Sequence, residues 1–318
     1  MTTARQAGQP AQGWLRGGIH AVWDSDLVLS LRASPLVITA AAVLLLLLGA
    51  AMLASLVAPH DPYDPLQVEL MDAFTPPLWV AGGQPAYLLG TDNQGRDILS
   101  AILYGLRTSL MIGLAAVGLA LVFGVGLGLL AGFVGGRLDS LIMRAADVQL
   151  TFPSILVALI VDGLLRSFLS SAAKAELGVV VVILSIAAAN WVRFARTVRA
   201  STMVERNKEY VEAARLLGRG PIYITLRHIL PNVSGPIVVI ATVDLGVAML
   251  QEATLSFLGV GMPPDQPSLG TLVETGRNYL LSGEWWIAFL PGLALAVLVL
   301  SVNIVGDWLR DALNPRLR

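Results

Sequence analysis

Cysteine is absent from the chain, which excludes disulfides, thiolate metal sites and a cysteine nucleophile. Lysine is almost absent: Lys174 and Lys208 are the only two. Neither follows the glycine that a P-loop places before its lysine, so the chain does not bind ATP in that manner. The three histidines, His20, His60 and His228, are far apart in sequence, and no H-E-x-x-H pair exists to suggest zinc. G-x-S-x-G is missing too, so nothing nucleophilic is set up for an intramembrane enzyme. Charge is scarce, at 14% of residues against roughly 25% in soluble proteins. With a net charge of −1 there is no overall basic character to attract nucleic acid.

Apolar residues fill the gap. They make up 55% of the chain, and mean hydropathy is +0.72. A hydrocarbon core of roughly 30 Å needs about 20 helical residues, and apolar runs of that order recur at 36–57, 107–132, 140–165, 177–198, 234–258 and 286–308. The expectation is an all-α polytopic membrane protein with six spanning helices. Residues 1–35 read as a polar leader and 36–57 as a retained anchor, because its apolar core is longer than the about 7–15 residues of a cleavable signal. The core spans occupy 107–310, and a short tail covers 311–318.

Orientation follows from the distribution of basic residues. With the N-terminus inside, sixteen of the 21 lysines and arginines fall on inner segments, the bias expected of cytoplasmic loops. Both termini are therefore expected in the cytoplasm. Trp285 and Trp286 would mark the outer end of the last span and Trp308 its inner end, as interfacial aromatics do. The long outer loop, 58–106, contains "PHDPYDP" and "FTPPLW"; such sequences favour turns over helix, and the loop is expected to be ordered only by packing on something else. Within it "GTDNQGRD", 90–97, has some flavour of a calcium loop. It lacks the spacing and final glutamate of one, and Arg96 would intrude, so a structural turn held by an Arg96–carboxylate pair is the expected use. On the second span Gly124, Gly128, Gly132 and Gly136 recur every four residues, a small-residue face that lets helices approach closely.

The most charged internal stretch, "EYVEAARLLGRGPIYITLRHILPN" (209–232), lies between two of the most apolar runs. A helix over 203–217 would place Tyr210, Ala213, Ala214 and Leu217 on one face. Gly218 can close that helix with a positive φ, and Pro221 suits the first position of the next, expected to end at Ile229, before Pro231. The result is a bent helical pair on the inner face. A bare interfacial helix or a DNA-reading helix pair are the other readings of such a fragment, the second opposed by the absence of a third helix and of any free approach to a duplex.

Glu212-Ala213-Ala214, Gly218 and the distal Leu230-Pro231 resemble the "EAA" loop of permease subunits in ABC importers, and "RHILPN" is similar to the form used by the peptide and nickel branch. The resemblance extends to "LGTDNQGRDILSAILYGLRTSL" (89–110), "MRAADVQLTFPSIL" (143–156), "EATLSFLGVGMPPDQPSLG" (252–270) and "GDWLRDALNPRLR" (306–318). The chain thus resembles the C-type permease of dipeptide, oligopeptide and nickel importers over nearly everything after about residue 30.

That resemblance implies a type I importer transmembrane domain in the cell membrane and a set of partners: a second, homologous permease, two ATP-binding subunits and an extracytoplasmic binding protein. ATP and magnesium would be bound by the partner ATPases, and this chain would hold no cofactor or metal of its own. Glu212, Ala213, Ala214, Gly218, Pro221, Ile222, Leu226, His228 and Pro231 would form the contact with an ATPase. An aliphatic residue is commoner in the family where His228 stands.

Ionisable groups inside spans are costly and face protein or a cavity. Asp244, Gln251 and Glu252 fall close to one face of the fifth span and are the candidates for lining a pathway, with interhelical hydrogen bonding as the competing use. Asp147 is expected to pair with nearby Arg144, and Asp162 matches no motif. From another functional class, a proton-coupled secondary carrier would use Asp244 and Glu252 as relays. The absence of a visible inverted repeat argues against it.

Overall fold

The computed structural model describes residues 34–64, 68–262 and 266–312; the leader 1–33, the short stretches 65–67 and 263–265 and the tail 313–318 lie outside the described residues. The described residues form a helical bundle. Helix α1 (Pro35–Met52) starts with a proline at a position where a missing N–H costs nothing, and breaks at Leu53 before a last turn, Ala54–Val57. Helix α2 (Ile98–Val134) begins nine residues earlier than the apolar run suggests. Its start is fixed by Asp97, whose carboxylate accepts from the backbone N–H of Ser100 at 2.8 Å. At 37 residues it is about 55 Å long, more than a membrane core requires.

The run at 140–165 is not one helix. It is two, α3 (Gly136–Leu150) and α4 (Ser154–Ser167), which meet at 100°. Pro153 is extended at the junction (φ −55, ψ 135), and proline disfavours helix in the residue before it. Among the described residues five helices are thus long and apolar enough to cross a membrane, or six if the bent pair is one span. The remaining long ones are α5 (Gly178–Glu205), α7 (Pro221–Phe257) and α9 (Trp286–Ala312), with the short α6 (Glu209–Leu216) between α5 and α7. Another short helix, α8 (Leu269–Arg277), is not legible in the run after 258. Ser268 caps it, and Leu269 and Leu272 pack with Ile98, Ile102, Leu106, Trp286 and Leu298 in the core at one end of the bundle.

Helices α2 and α5 meet along the glycine face. A Cβ on Gly124 would lie 2.5 Å from the carbonyl oxygen of Trp191, one on Gly128 2.6 Å from that of Ala195, and one on Gly132 2.8 Å from that of Arg199. Glycine is therefore a steric requirement at these three turns. Gly136 does not belong to the face: α2 has already ended, and Gly136 sits in a left-handed conformation (φ 60) at the turn into α3.

The 58–106 loop holds itself together as well as packing on the bundle. The Asp92 carboxylate accepts from the N–H of Gln94 (2.8 Å), the N–H of Arg96 (3.0 Å) and the Arg96 guanidinium (2.7 Å), so the turn is built around the arginine pair expected of it. The Tyr87 hydroxyl donates to Asp72 at 2.8 Å, and the Trp286 indole donates to the carbonyl of Thr91 at 3.1 Å, pinning the turn to the start of α9.

Candidate functional site

The bent helical unit between α5 and α7 has one face in the bundle and one outside it. Val211 and Ala214 of α6, with Ile224, Ile229 and Val233 of α7, are buried against Val125 and Leu129 of α2 and Val198 of α5. The face of α6 that packs inward thus carries Val211 and Ala214. Ala213 and Leu217, expected on the same face, are exposed. The inward face is centred on Val211 and Ala214 with Tyr210 half-buried beside them, which turns Ala213 outward, and α6 ends at Leu216, so Leu217 lies past the helix.

Gly218 has φ +75. Its N–H donates to the Arg215 carbonyl at 2.9 Å, and that of Arg219 to the Ala214 carbonyl at 3.1 Å. This double closure terminates a helix with a left-handed residue. From Pro221 the chain turns at once into α7. The second short helix does not stop before Pro231 but continues through a wider turn, Thr225–Ile229, into the spanning part of α7. A proline ring would otherwise clash with the carbonyl four residues back, and the wider turn makes room for it.

His228 now has a structural account. Its ring lies edge-on to Tyr223 at 5.6 Å and tilted to Tyr210 at 6.4 Å, so it fills the angle between the two short helices. Asn232 donates to the His228 carbonyl at 2.7 Å, and the Tyr210 hydroxyl donates to Glu205 at the end of α5. Burial and that hydrogen bond push the Tyr210 hydroxyl up to about 12, so it remains a proton donor at any physiological pH.

The outward face is apolar and uncovered. Leu216 is 90% exposed, Leu217 79% and Ile222 75%, with Leu226 beside them. Glu212, Ala213, Pro221 and Pro231 are exposed as well, and Glu212 makes no side-chain bond among the described residues. Behind Ile222 and Leu226 lies a groove of about 380 Å³ against Leu129, Leu130 and Phe133 of α2. Arg219 rests over the Tyr223 ring at 5.0 Å. Contiguous apolar side chains thus stand on the outward face of a unit whose other face is packed in the bundle.

Most of the polar groups inside the spans are paired across different helices. Arg193 of α5 donates to Asp244 of α7 at 2.7 Å. Asn190 donates to Gln251 at 2.7 Å, and Gln251 donates to Ser154 of α4 at 3.0 Å. Glu252, fully buried, accepts from Ser109 of α2 at 3.1 Å and from Ser256 at 2.8 Å. Asp244, Gln251 and Glu252 are all buried. Asp147 does not pair with Arg144: its partner is Arg196 of α5, because α3 lies against α5 and Arg196 reaches across. Asp162, buried, pairs with Arg166 one turn on at 2.7 Å, and Arg166 also donates to the carbonyls of Val260 (3.1 Å) and Gly261 (3.0 Å). That arginine ties the end of α4 to the chain just after α7.

A protein-family model described as binding-protein-dependent transport system inner membrane component matches residues 124–318. The chain belongs to that family. Its members are transport permease components rather than enzymes. The permease is 40% identical over 275 residues to the di/tripeptide transport system permease protein DppC of Pseudomonas aeruginosa (strain UCBPP-PA14), covering 86% of each chain. It is also 40% identical over 267 residues to the dipeptide transport system permease protein DppC of Haemophilus influenzae, covering 84% of this permease and 87% of that one. In fold it is similar to an inward-facing structure of the MetNI methionine ABC transporter, with a TM-score of 0.54 at 20% identity over 68% of this chain and 98% of that one. The bent unit and the polar pairs, except the residues before 124, lie inside the segment that defines the family.

Sequence reasoning misses Arg193. It counts there among the inner-loop charges, yet it sits about 22 Å along α5 from Gly178 at 1.5 Å per residue, still within the apolar stretch. No acidic residue near it in sequence points to the partner that α7 supplies.

Proposed function

We propose that this permease is one transmembrane half of an ATP-driven importer of peptides, oriented with both termini and the Glu209–Asn232 unit in the cytoplasm. It works with a second, homologous permease, takes substrate from an extracytoplasmic binding protein, and holds no ATP, magnesium or metal itself. Those belong to two partner ATPase subunits.

The observation that carries the reading is the two-faced helical unit. Its inner face is locked to α2, α5 and α7, and its outer face offers Leu216, Leu217, Ile222 and Leu226 to a partner. Because the second helix of the unit, from Pro221, runs without interruption into the spanning part of α7, a displacement of its outer face is delivered directly to a helix that crosses the bundle. Rigid-body rocking between two packed arrangements is the motion such a connection supports. The identity to two peptide permeases supports the substrate class.

The reading is tested by dipeptide uptake into proteoliposomes holding the complete transporter and loaded binding protein. Uptake is expected to need ATP inside the compartment the unit faces, to persist with a protonophore, and to fail when the Walker lysine of the partner ATPases is replaced. Uptake that collapses with the protonophore and ignores the Walker replacement would make the chain a proton-coupled carrier instead.

A further inference from the structure

One charged side chain on a spanning helix is half-exposed and paired to a buried partner. Arg193 lies within the apolar stretch of α5, and its side chain is 43% exposed in the isolated chain while that of Asp244, its partner, is 2% exposed. A guanidinium on a spanning helix faces protein or a water-filled cavity unless it reaches the membrane surface, and the Asp244 pair holds this one against the bundle. The side chain borders a cleft of about 150 Å³ whose walls include Gln149 and Phe152 at the α3–α4 bend, Ser154 at the start of α4, and Val192.

The other polar groups at this level are already used. Gln149 accepts from the Trp191 indole at 2.8 Å and donates to the carbonyl of Ala188 at 2.8 Å. Ser154 accepts from Gln251. Arg193 has five N–H donors, and among the described residues one nitrogen, Nη1, bonds Asp244 Oδ1. Asp244 stands behind it with its second oxygen buried and unpartnered. The pair is neutral overall but polarised, with the positive end toward the cleft and the negative end in the bundle.

We propose that Arg193 is a station on the translocation route that receives the C-terminal carboxylate of a passing peptide, with Asp244 as the positioning residue that holds the guanidinium toward the cleft. The proposal rests on the permease reading above and deepens it. The free donors of a guanidinium match the two oxygens of a carboxylate. The counter-charge behind them keeps the attraction weak, as a site must be that is entered and left in each cycle. Asp244 and Glu252 then do not line the route themselves: the former acts through Arg193, and the latter bonds serines inside the bundle.

The absence of cysteine makes the test direct. Ser154→Cys is introduced into this chain, assembled with cysteine-free partner subunits in membrane vesicles, and labelled with small methanethiosulfonates carrying either a sulfonate or a quaternary ammonium. The expected result is labelling of the introduced thiol that slows when substrate is being transported. Relative to a free thiol, the anionic reagent should be favoured about tenfold over the cationic one, as a local positive potential would make it. Adding Arg193→Gln should remove that preference, and Arg193→Lys should keep it. In uptake at saturating loaded binding protein, Arg193→Gln should lower the maximal rate about tenfold and Arg193→Lys by less. An introduced thiol that stays unreactive in vesicles that transport, or a preference indifferent to Arg193→Gln, would overturn the proposal and leave the permease reading standing. Loss of ATP dependence in vesicles carrying the unsubstituted chain would fault that reading instead.

Discussion

Replacing Gly218 with valine is expected to abolish uptake while the permease still reaches the membrane in normal amount. The residue sits at φ +75, where a β-branched side chain strains the backbone by about 1–3 kcal/mol. Apart from its chain neighbours, no atom lies within 4 Å of where its Cβ would be, so the strain comes from conformation and not from crowding. The chain can relieve it only by giving up the closure made by the N–H groups of Gly218 and Arg219, which changes the angle between α6 and Pro221. That angle positions Leu216 and Leu217 relative to Ile222 and Leu226. A graded series separates conformation from bulk, because asparagine tolerates the left-handed region better than alanine, and alanine better than valine. ATP-driven uptake should fall in the order Asn, Ala, Val, with the last down by at least about tenfold, a factor equal to roughly 1.4 kcal/mol. Equal, near-normal uptake across the series would remove the bent unit from the mechanism.

Arg166→Ala is expected to give the largest loss of stability. It strands the carboxylate of Asp162, which is fully buried and has one oxygen already without a partner, and it releases the carbonyls of Val260 and Gly261. Removing one member of a buried ion pair costs about 3–5 kcal/mol. For a chain of this size that lowers the thermal midpoint in detergent by on the order of 10 °C. Replacing both members with apolar residues of similar size, Asp162→Leu with Arg166→Met, removes the stranded charge and should recover most of the loss. A double variant no more stable than Arg166→Ala would mean that the carbonyl contacts, rather than the carboxylate, carry the effect.

These two predictions draw on features of different legibility. The bent unit is readable because its signals are local: a glycine after a helix, a proline three residues later, and a charged stretch between apolar runs. The Asp162–Arg166 pair is also within reach, since residues four apart share a helix face. The pairs Arg193–Asp244 and Arg196–Asp147 are not, because each joins helices far apart in sequence and depends on which faces α5 turns toward α3 and α7.

Proline illustrates the same limit. Pro153 breaks a run of apolar residues into two helices at 100°, whereas Pro231, Pro236 and Pro291 sit inside continuous helices. The local penalty is alike in kind; what differs is whether the surrounding packing offers a wider turn or a bend. The glycine face on α2 is legible as a pattern, but Gly136, one repeat further on, has left the helix. The pattern alone does not mark where a helix ends.

The central claim, that the exposed face of the bent unit engages an ATPase, has a direct measurement in a chain without native cysteine. Ile222→Cys and Leu226→Cys, each introduced alone, are treated with a short homobifunctional thiol reagent in membranes holding the complete transporter, whose ATPases carry single surface cysteines. The account predicts cross-links from both positions to an ATPase subunit, together with loss of ATP-driven uptake once they form. Cysteines at both positions that label freely with a soluble thiol reagent in the assembled, transporting complex, yet never cross-link to an ATPase, would contradict it.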